Sequence, residues 1–200
     1  MIKSFPMPKD SLIGGWVMPE SVIDDIHEYW NLPDAQQYKY TGCSSDEQIH
    51  REAKDSIDLG ITPENYDKPW SDYRKYLQEC LTEYLKTYPD ADNVQPFDIT
   101  ENYNIQWYPK SGGYYAWHAE ISGHTWNIHR HLVFMTYCDD VPNAGTQFKN
   151  QNLTVPCKKG LTIIWPASFT HTHKGQITNV YEKMIVTGWY SFIKIYNKLK

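Results

Sequence analysis

The spacing of hydrophobic positions changes period near the middle of the chain. Between Glu64 and Tyr88, residues Tyr66, Trp70, Tyr73, Leu77, Cys80, Leu81, Tyr84 and Tyr88 recur mostly at steps of three and four, with charged residues between them. This is the apolar stripe of an amphipathic helix, and it predicts a helix over 64–88 laid against a sheet. Thr62 is its candidate cap, Pro63 suits its first turn and Pro89 stops it. A shorter helix is predicted over 21–30, where Val22, Ile26, Tyr29 and Trp30 share a face behind Pro19. Between the two, Tyr38 to Leu59 is polar and poorly periodic, the pattern of a functional or an unordered loop.

From Phe97 onward the period falls to two. Residues 100–107 alternate, and 131–137, 161–165 and 183–192 are short runs rich in β-branched and aromatic residues. Turn residues separate them at 109–113, 142–145 and 158–160. Short strands with no helical period between them predict a sandwich or barrel. The expected organisation is one domain, mostly β with N-terminal helices (α+β). Residues 1–95 would form a helical support with a polar loop, 96–193 a strand-built core, and 194–200 a surface tail.

Composition narrows the function. Two hundred residues suit a single domain. With 24 acidic and 19 basic residues the net charge is −5, which argues against a dedicated nucleic-acid binder. No apolar run approaches the ~18 residues of a membrane span, and Pro, Lys and Asp interrupt the start, MIKSFPMPKDSLIGGW, where a signal peptide needs an unbroken apolar stretch. The expectation is a cytoplasmic protein with no membrane partner. The four cysteines, at 43, 80, 138 and 157, form no CxxC pair, so neither a zinc ribbon nor a disulfide framework is expected.

The chemistry gathers in the strand-rich half, where six of the eight histidines lie between 118 and 173. In His118-Ala-Glu120, residues two apart in an extended segment point the same way, so one ion can be gripped by both. His171-Thr-His173 follows the strand LTIIW and can return a third ligand. Two imidazoles and a carboxylate on one face of an octahedral ion leave three positions open, the arrangement of ferrous oxygenases. Neither motif alone is specific; their order along the chain is.

The stretch from Asn104 to Phe192 carries QWYPKSGGYYAWHAE, RHLVFMTYCDDV, GTQF, KKGLTIIWPASFTHTHKG and EKMIVTGWYSF. In this order the segments resemble the Fe(II)/2-oxoglutarate-dependent dioxygenases, in particular the prolyl 4-hydroxylase-like branch and its small, phage-type members. The resemblance implies a double-stranded β-helix (jelly roll) core and hydroxylation of an unactivated C–H bond, with a peptidyl proline or another amino-acid residue as candidate target. It also implies Fe(II), 2-oxoglutarate and O2, with ascorbate as an accessory reductant, and a protein, peptide or small-molecule substrate. His118, Glu120 and His173 would be the catalytic metal ligands, with His171 the alternative third ligand. Lys183, ten residues beyond His173, would meet the co-substrate's distal carboxylate, helped by Thr187 and Tyr137. Tyr108 and Tyr115 are further candidates at the co-substrate or the mouth of the site, whereas Trp117 and Trp189 read as packing. Two departures from the family pattern stand out: Glu120 replaces the commoner Asp, and Ala144 replaces one glycine of a Gly-Gly turn.

Two rival readings remain. A cupin-like metal enzyme without 2-oxoglutarate would use His171 and His173 as a pair. A non-enzymatic jelly-roll module would bind its ligand by aromatic stacking.

Overall fold

The computed structural model describes residues 1–43 and 49–193. The expected tail, 194–200, lies outside the described residues. Among those described, every strand pairing is antiparallel. The larger sheet runs in the order Lys3–Ser4, Gly14–Val17, Leu161–Pro166, Arg130–Tyr137, Lys183–Phe192, Tyr103–Tyr108, Ile57–Ile61, Tyr40–Thr41, with Phe97–Asp98 beside the end of Lys183–Phe192. A smaller sheet of Leu153–Cys157, Val141–Phe148 and His173–Gly175 provides the second layer, and Lys54–Asp55 pairs with Gly113–Tyr114. The fold is a jelly roll backed by helices.

The period-two pattern read from the sequence divides the interior. Leu132 and Phe134 from one strand, with Cys138 just past its end, and Met184, Val186 and Tyr190 from another, join the core shared with the helices. Their alternates Val133, Met135, Tyr137 and Ile185 join Val141, Phe148 and Val155 in the core between the two sheets. Successive side chains on a strand point to opposite faces, so one sequence pattern serves two hydrophobic layers.

The helices are Glu20–Asn31, the four-residue Pro33–Gln36 and Trp70–Thr87. None is long and apolar enough to cross a membrane. The long helix buries Trp70, Tyr73, Leu77, Cys80, Leu81 and Tyr84 against the large sheet, and burying a large apolar side chain contributes about 1.5–3 kcal/mol. It starts six residues later than the stripe suggested. Thr62 does not cap it; Pro69 takes the N-cap position, with no side-chain hydrogen bond there. Tyr66 is 66% exposed and is not part of the helix. The Tyr73 hydroxyl meets Thr136 Oγ1 at 3.0 Å, and Thr136 Oγ1 meets Thr162 Oγ1 at 2.8 Å, which satisfies three hydroxyls in an otherwise apolar layer.

Two expectations change. The first ninety residues are not only helical: Gly14–Val17 and Ile57–Ile61 are strands of the large sheet, so the support and the core interpenetrate. Residues 142–145 do not form a turn between strands but lie within Val141–Phe148, where the pairing register shifts. The left-handed φ there falls on Asn143, at 55°, rather than on Ala144, and asparagine tolerates that conformation. The glycine that matters is Gly145, where a Cβ would lie 1.9 Å from the Val155 carbonyl oxygen.

Leu77 is 1% exposed at the centre of the helix–sheet layer. Leu77→Ala should lower unfolding free energy by about 2–5 kcal/mol, measured by urea denaturation, with the metal affinity of the folded protein unchanged.

Candidate metal centre and cavity

A reciprocal backbone bridge brings the histidine segments together. The His118 N–H donates to the His173 carbonyl at 3.0 Å, and the His173 N–H to the His118 carbonyl at 2.8 Å. Glu120 is fixed in turn by its own N–H, which donates to the Ala167 carbonyl at 3.2 Å. Ligand atoms of His118, Glu120 and His173 lie within 4.8 Å of one another.

The hydrogen bonds fix the tautomers. His118 Nδ1 meets the Ala116 carbonyl at 3.1 Å and His173 Nδ1 meets the His171 carbonyl at 2.8 Å. A carbonyl can only accept, so both Nδ1 atoms carry hydrogen and the neutral rings present Nε2 lone pairs. These face Glu120 Oε1 at 3.6 Å and 3.3 Å. Burial, followed by the nearby His173, lowers the His118 pKa and favours its neutral form. Burial alone would raise the Glu120 carboxyl, but the His118 and His173 side chains facing it outweigh burial and hold the group well below the usual carboxylate range, so it stays ionised. Two nitrogen lone pairs and a carboxylate aimed at one point call for a shared positive charge, and two imidazoles with one carboxylate suit Fe(II) while leaving coordination positions open.

The other carboxylate oxygen is held as firmly. Trp189 Nε1 donates to Glu120 Oε2 at 2.8 Å and Arg130 Nη1 approaches it at 3.5 Å. Arg130 is itself held by two hydrogen bonds to Glu101, at 3.0 and 2.6 Å, and its guanidinium lies 3.4 Å from the Trp189 ring centre. The Tyr114 ring stacks on His118 with centroids 3.6 Å apart.

His171 does not belong to the cluster. Its Nε2 bonds the Ser11 carbonyl at 2.9 Å and its Nδ1 the Thr170 hydroxyl at 2.9 Å. The paired-histidine arrangement of the cupin-like reading is therefore not formed. Tyr115 also lies elsewhere, its hydroxyl on the Ser111 carbonyl at 2.7 Å. Residue 114 shares parity with 118 and 120, and alternation applied one residue earlier would have selected it. Trp189 was read as packing, although it shares parity with Lys183 and Thr187; Trp117 is 42% exposed beneath Lys174. Arg130 and Glu101 carried no local sequence signal.

The cluster opens into a cavity of about 500 Å³ that Lys183, Thr187, Tyr137 and Tyr108 also line. Lys183 Nζ donates to the Ala144 and Gln176 carbonyls at 2.6 and 3.1 Å. Neither acceptor is charged, so the ammonium faces the cavity with no carboxylate hydrogen-bonded to it among the described residues. Tyr137 donates to Thr146 Oγ1 at 2.7 Å, Tyr108 to Gln106 Oε1 at 2.7 Å, and Thr187 to the Phe134 carbonyl at 3.1 Å.

No family model and no curated protein matches the sequence. Solved structures do. The chain is similar to a Pseudomonas putida prolyl-4-hydroxylase, with a TM-score of 0.67 at 12% identity over 93% of this chain and 97% of that one. A viral collagen prolyl hydroxylase from Paramecium bursaria Chlorella virus-1, in its 2-oxoglutarate complex, gives 0.64 at 14% over 91% and 97%. A Trichoplax adhaerens prolyl hydroxylase bound to a hypoxia-inducible-factor peptide gives 0.61 at 14% over 86% and 77%. The fold expected from the sequence is thus the fold shared with these proteins.

Burial lowers the Lys183 pKa from 10.5 to about 8. The folded value lies below the unfolded one, so between these limits the unfolded chain holds more protons and stability from this group rises with pH. Relative to Lys183→Met, the parent should gain about 3 kcal/mol of unfolding free energy across that window, measured by urea denaturation at stepped pH.

Proposed function

We propose that the protein is an Fe(II)- and 2-oxoglutarate-dependent dioxygenase that hydroxylates an unactivated C–H bond of an amino-acid residue, with peptidyl proline the first candidate. The observation that carries this reading is the sharing of one cavity by a three-donor cluster and a buried ammonium whose hydrogen-bond acceptors are both neutral. A dicarboxylic co-substrate has the matching parts, a chelating end for an ion on His118, Glu120 and His173 and a distal carboxylate for Lys183. The likeness to prolyl hydroxylases, one solved with 2-oxoglutarate and one with a peptide, supports the co-substrate and substrate classes.

Bound Fe(II), with 2-oxoglutarate and O2, would supply the oxidation: one oxygen atom goes to the substrate C–H and the other to succinate, with release of CO2. The chain's own residues do the rest. His118 and His173 would hold the ion through their Nε2 lone pairs, because their Nδ1 atoms are hydrogen-bonded to backbone carbonyls. Trp189 and Arg130 hold Glu120 Oε2, which leaves Oε1 for the ion and fixes the carboxylate plane. Lys183 offers a charge-assisted hydrogen bond in a site walled by Ile185, Met135 and Trp165.

His118→Ala and His173→Ala should each lower Mn(II) affinity on the order of 100-fold or more, whereas His171→Ala should leave it within a few-fold. Manganese titration followed by electron paramagnetic resonance measures all three. Equal losses for His171→Ala would reassign the third ligand.

Purified protein with Fe(II), ascorbate and 2-oxoglutarate should release succinate slowly without substrate. Its affinity for 2-oxoglutarate should fall as pH rises through about 8, where Lys183 loses its proton. Absence of both turnover and co-substrate binding would overturn the proposal. A gain of one oxygen atom by mass spectrometry identifies the target among candidate peptides.

A further inference from the structure

A second buried ammonium faces the same cavity, and the reaction proposed above gives it no task. Lys54 and Asp58 are each 3% exposed and both line the cavity. Lys54 belongs to the short strand paired with Gly113–Tyr114, directly opposite Tyr114. Cross-strand partners project to the same side, and Tyr114 stacks on His118, so Lys54 flanks the metal cluster. Asp58 pairs with Gln106 in the large sheet.

The two charges are differently satisfied. Asp58 accepts from Lys54 Nζ at 2.6 Å, Ser56 Oγ at 2.7 Å and Gln106 Nε2 at 3.4 Å. Lys54 has three hydrogens to donate, and Asp58 is the acceptor it meets among the described residues. An ammonium inside the protein with hydrogens to spare, on the wall of a cavity, is suited to an acceptor that arrives with a ligand.

The charge balance selects that acceptor. Lys183 has only neutral acceptors and suits an anion. Lys54 is already neutralised by Asp58. An oxygen hydrogen-bonded to Lys54 Nζ would lie within about 5.5 Å of the Asp58 carboxylate, from the Nζ–Oδ2 separation of 2.6 Å plus a hydrogen-bond length. At that separation Asp58 repels a second carboxylate and offsets part of its attraction to Lys54, whereas an uncharged carbonyl keeps its hydrogen bond without that opposition. We propose that Lys54 and Asp58 form a subsite for an uncharged carbonyl oxygen of the substrate, so that this wall accepts an amide-linked residue in preference to a free amino acid. This rests on the proposed function, because it assumes that the oxidised substrate occupies this cavity.

The test uses two probes that differ in one group, N-acetyl-L-prolinamide and N-acetyl-L-proline. Their affinities are measured by calorimetry, without oxygen, on protein loaded with Mn(II) and 2-oxoglutarate. The parent should bind the amide at least tenfold tighter than the carboxylate. Lys54→Gln should lose at least tenfold in amide affinity. Asp58→Asn retains the ammonium and removes the opposing charge, so the preference should move at least tenfold toward the carboxylate, which keeps the test open if Lys54→Gln does not fold. Equal affinities in the parent, an unchanged ratio in Asp58→Asn, or no binding of either probe beside bound 2-oxoglutarate would overturn the subsite and leave the proposed function standing. Failure of the parent to bind 2-oxoglutarate would instead withdraw the proposed function, and the subsite with it.

Discussion

Three electron-pair donors aimed at one point repel each other unless a cation lies between them or the backbone holds them in place, and here the backbone does the holding. The paired hydrogen bonds between the His118 and His173 main chains clamp two segments more than fifty residues apart. Carbonyls on Ala116 and His171 then orient each ring. Everything else in the cavity is arranged around that clamp: the smaller sheet ends there through His173–Gly175, and Tyr114 closes over His118. The local energetic cost is offset by the two hydrophobic layers, which bury Trp70, Tyr73 and Phe134 in one and Phe148 and Trp165 in the other.

The cavity joins two kinds of cationic group that local sequence cannot distinguish. Lys183 and Lys54 are both buried lysines on strands. One is hydrogen-bonded to neutral carbonyls and the other to a carboxylate, and only the first remains an electrostatic vacancy for an anion. A polar row links these regions: Tyr108 donates to Gln106, Gln106 to Asp58, and Asp58 accepts from Lys54. A change of charge at Asp58 therefore reaches Tyr108 through two hydrogen bonds, without movement of the sheet.

Legibility in the sequence followed period and parity. Strands 131–137 and 183–192 were readable because they are unbroken runs rich in β-branched and aromatic residues, and His118, Glu120 and His173 because residue types and order constrained them together. The long helix was readable as a stripe, but its start was not, because Tyr66 continues the spacing without entering the core. Ile57–Ile61 was missed: a five-residue strand containing Asp and Gly looks polar until its partner, Tyr103–Tyr108, is known. Arg130 and Glu101 were invisible for the same reason, since their value comes from each other and from Trp189 across the sheet. Parity would have favoured Tyr114 over Tyr115, and it placed Trp189 inside without revealing that its N–H meets a carboxylate.

Glu120 shows why a departure from a pattern has to be read with its neighbours. A glutamate has one more rotatable bond than an aspartate, and an unheld carboxylate would position an ion loosely. Here the freedom is removed at the far oxygen, where the Trp189 N–H donates at 2.8 Å and Arg130 approaches at 3.5 Å. Arg130 pairs with Glu120 at that longer distance while making its shorter hydrogen bonds to Glu101, and Trp189 stacks on its face. The carboxylate thus keeps its charge for the ion side while its orientation is set from behind. The longer side chain and the residues that restrain it are one device, in which no single residue suffices.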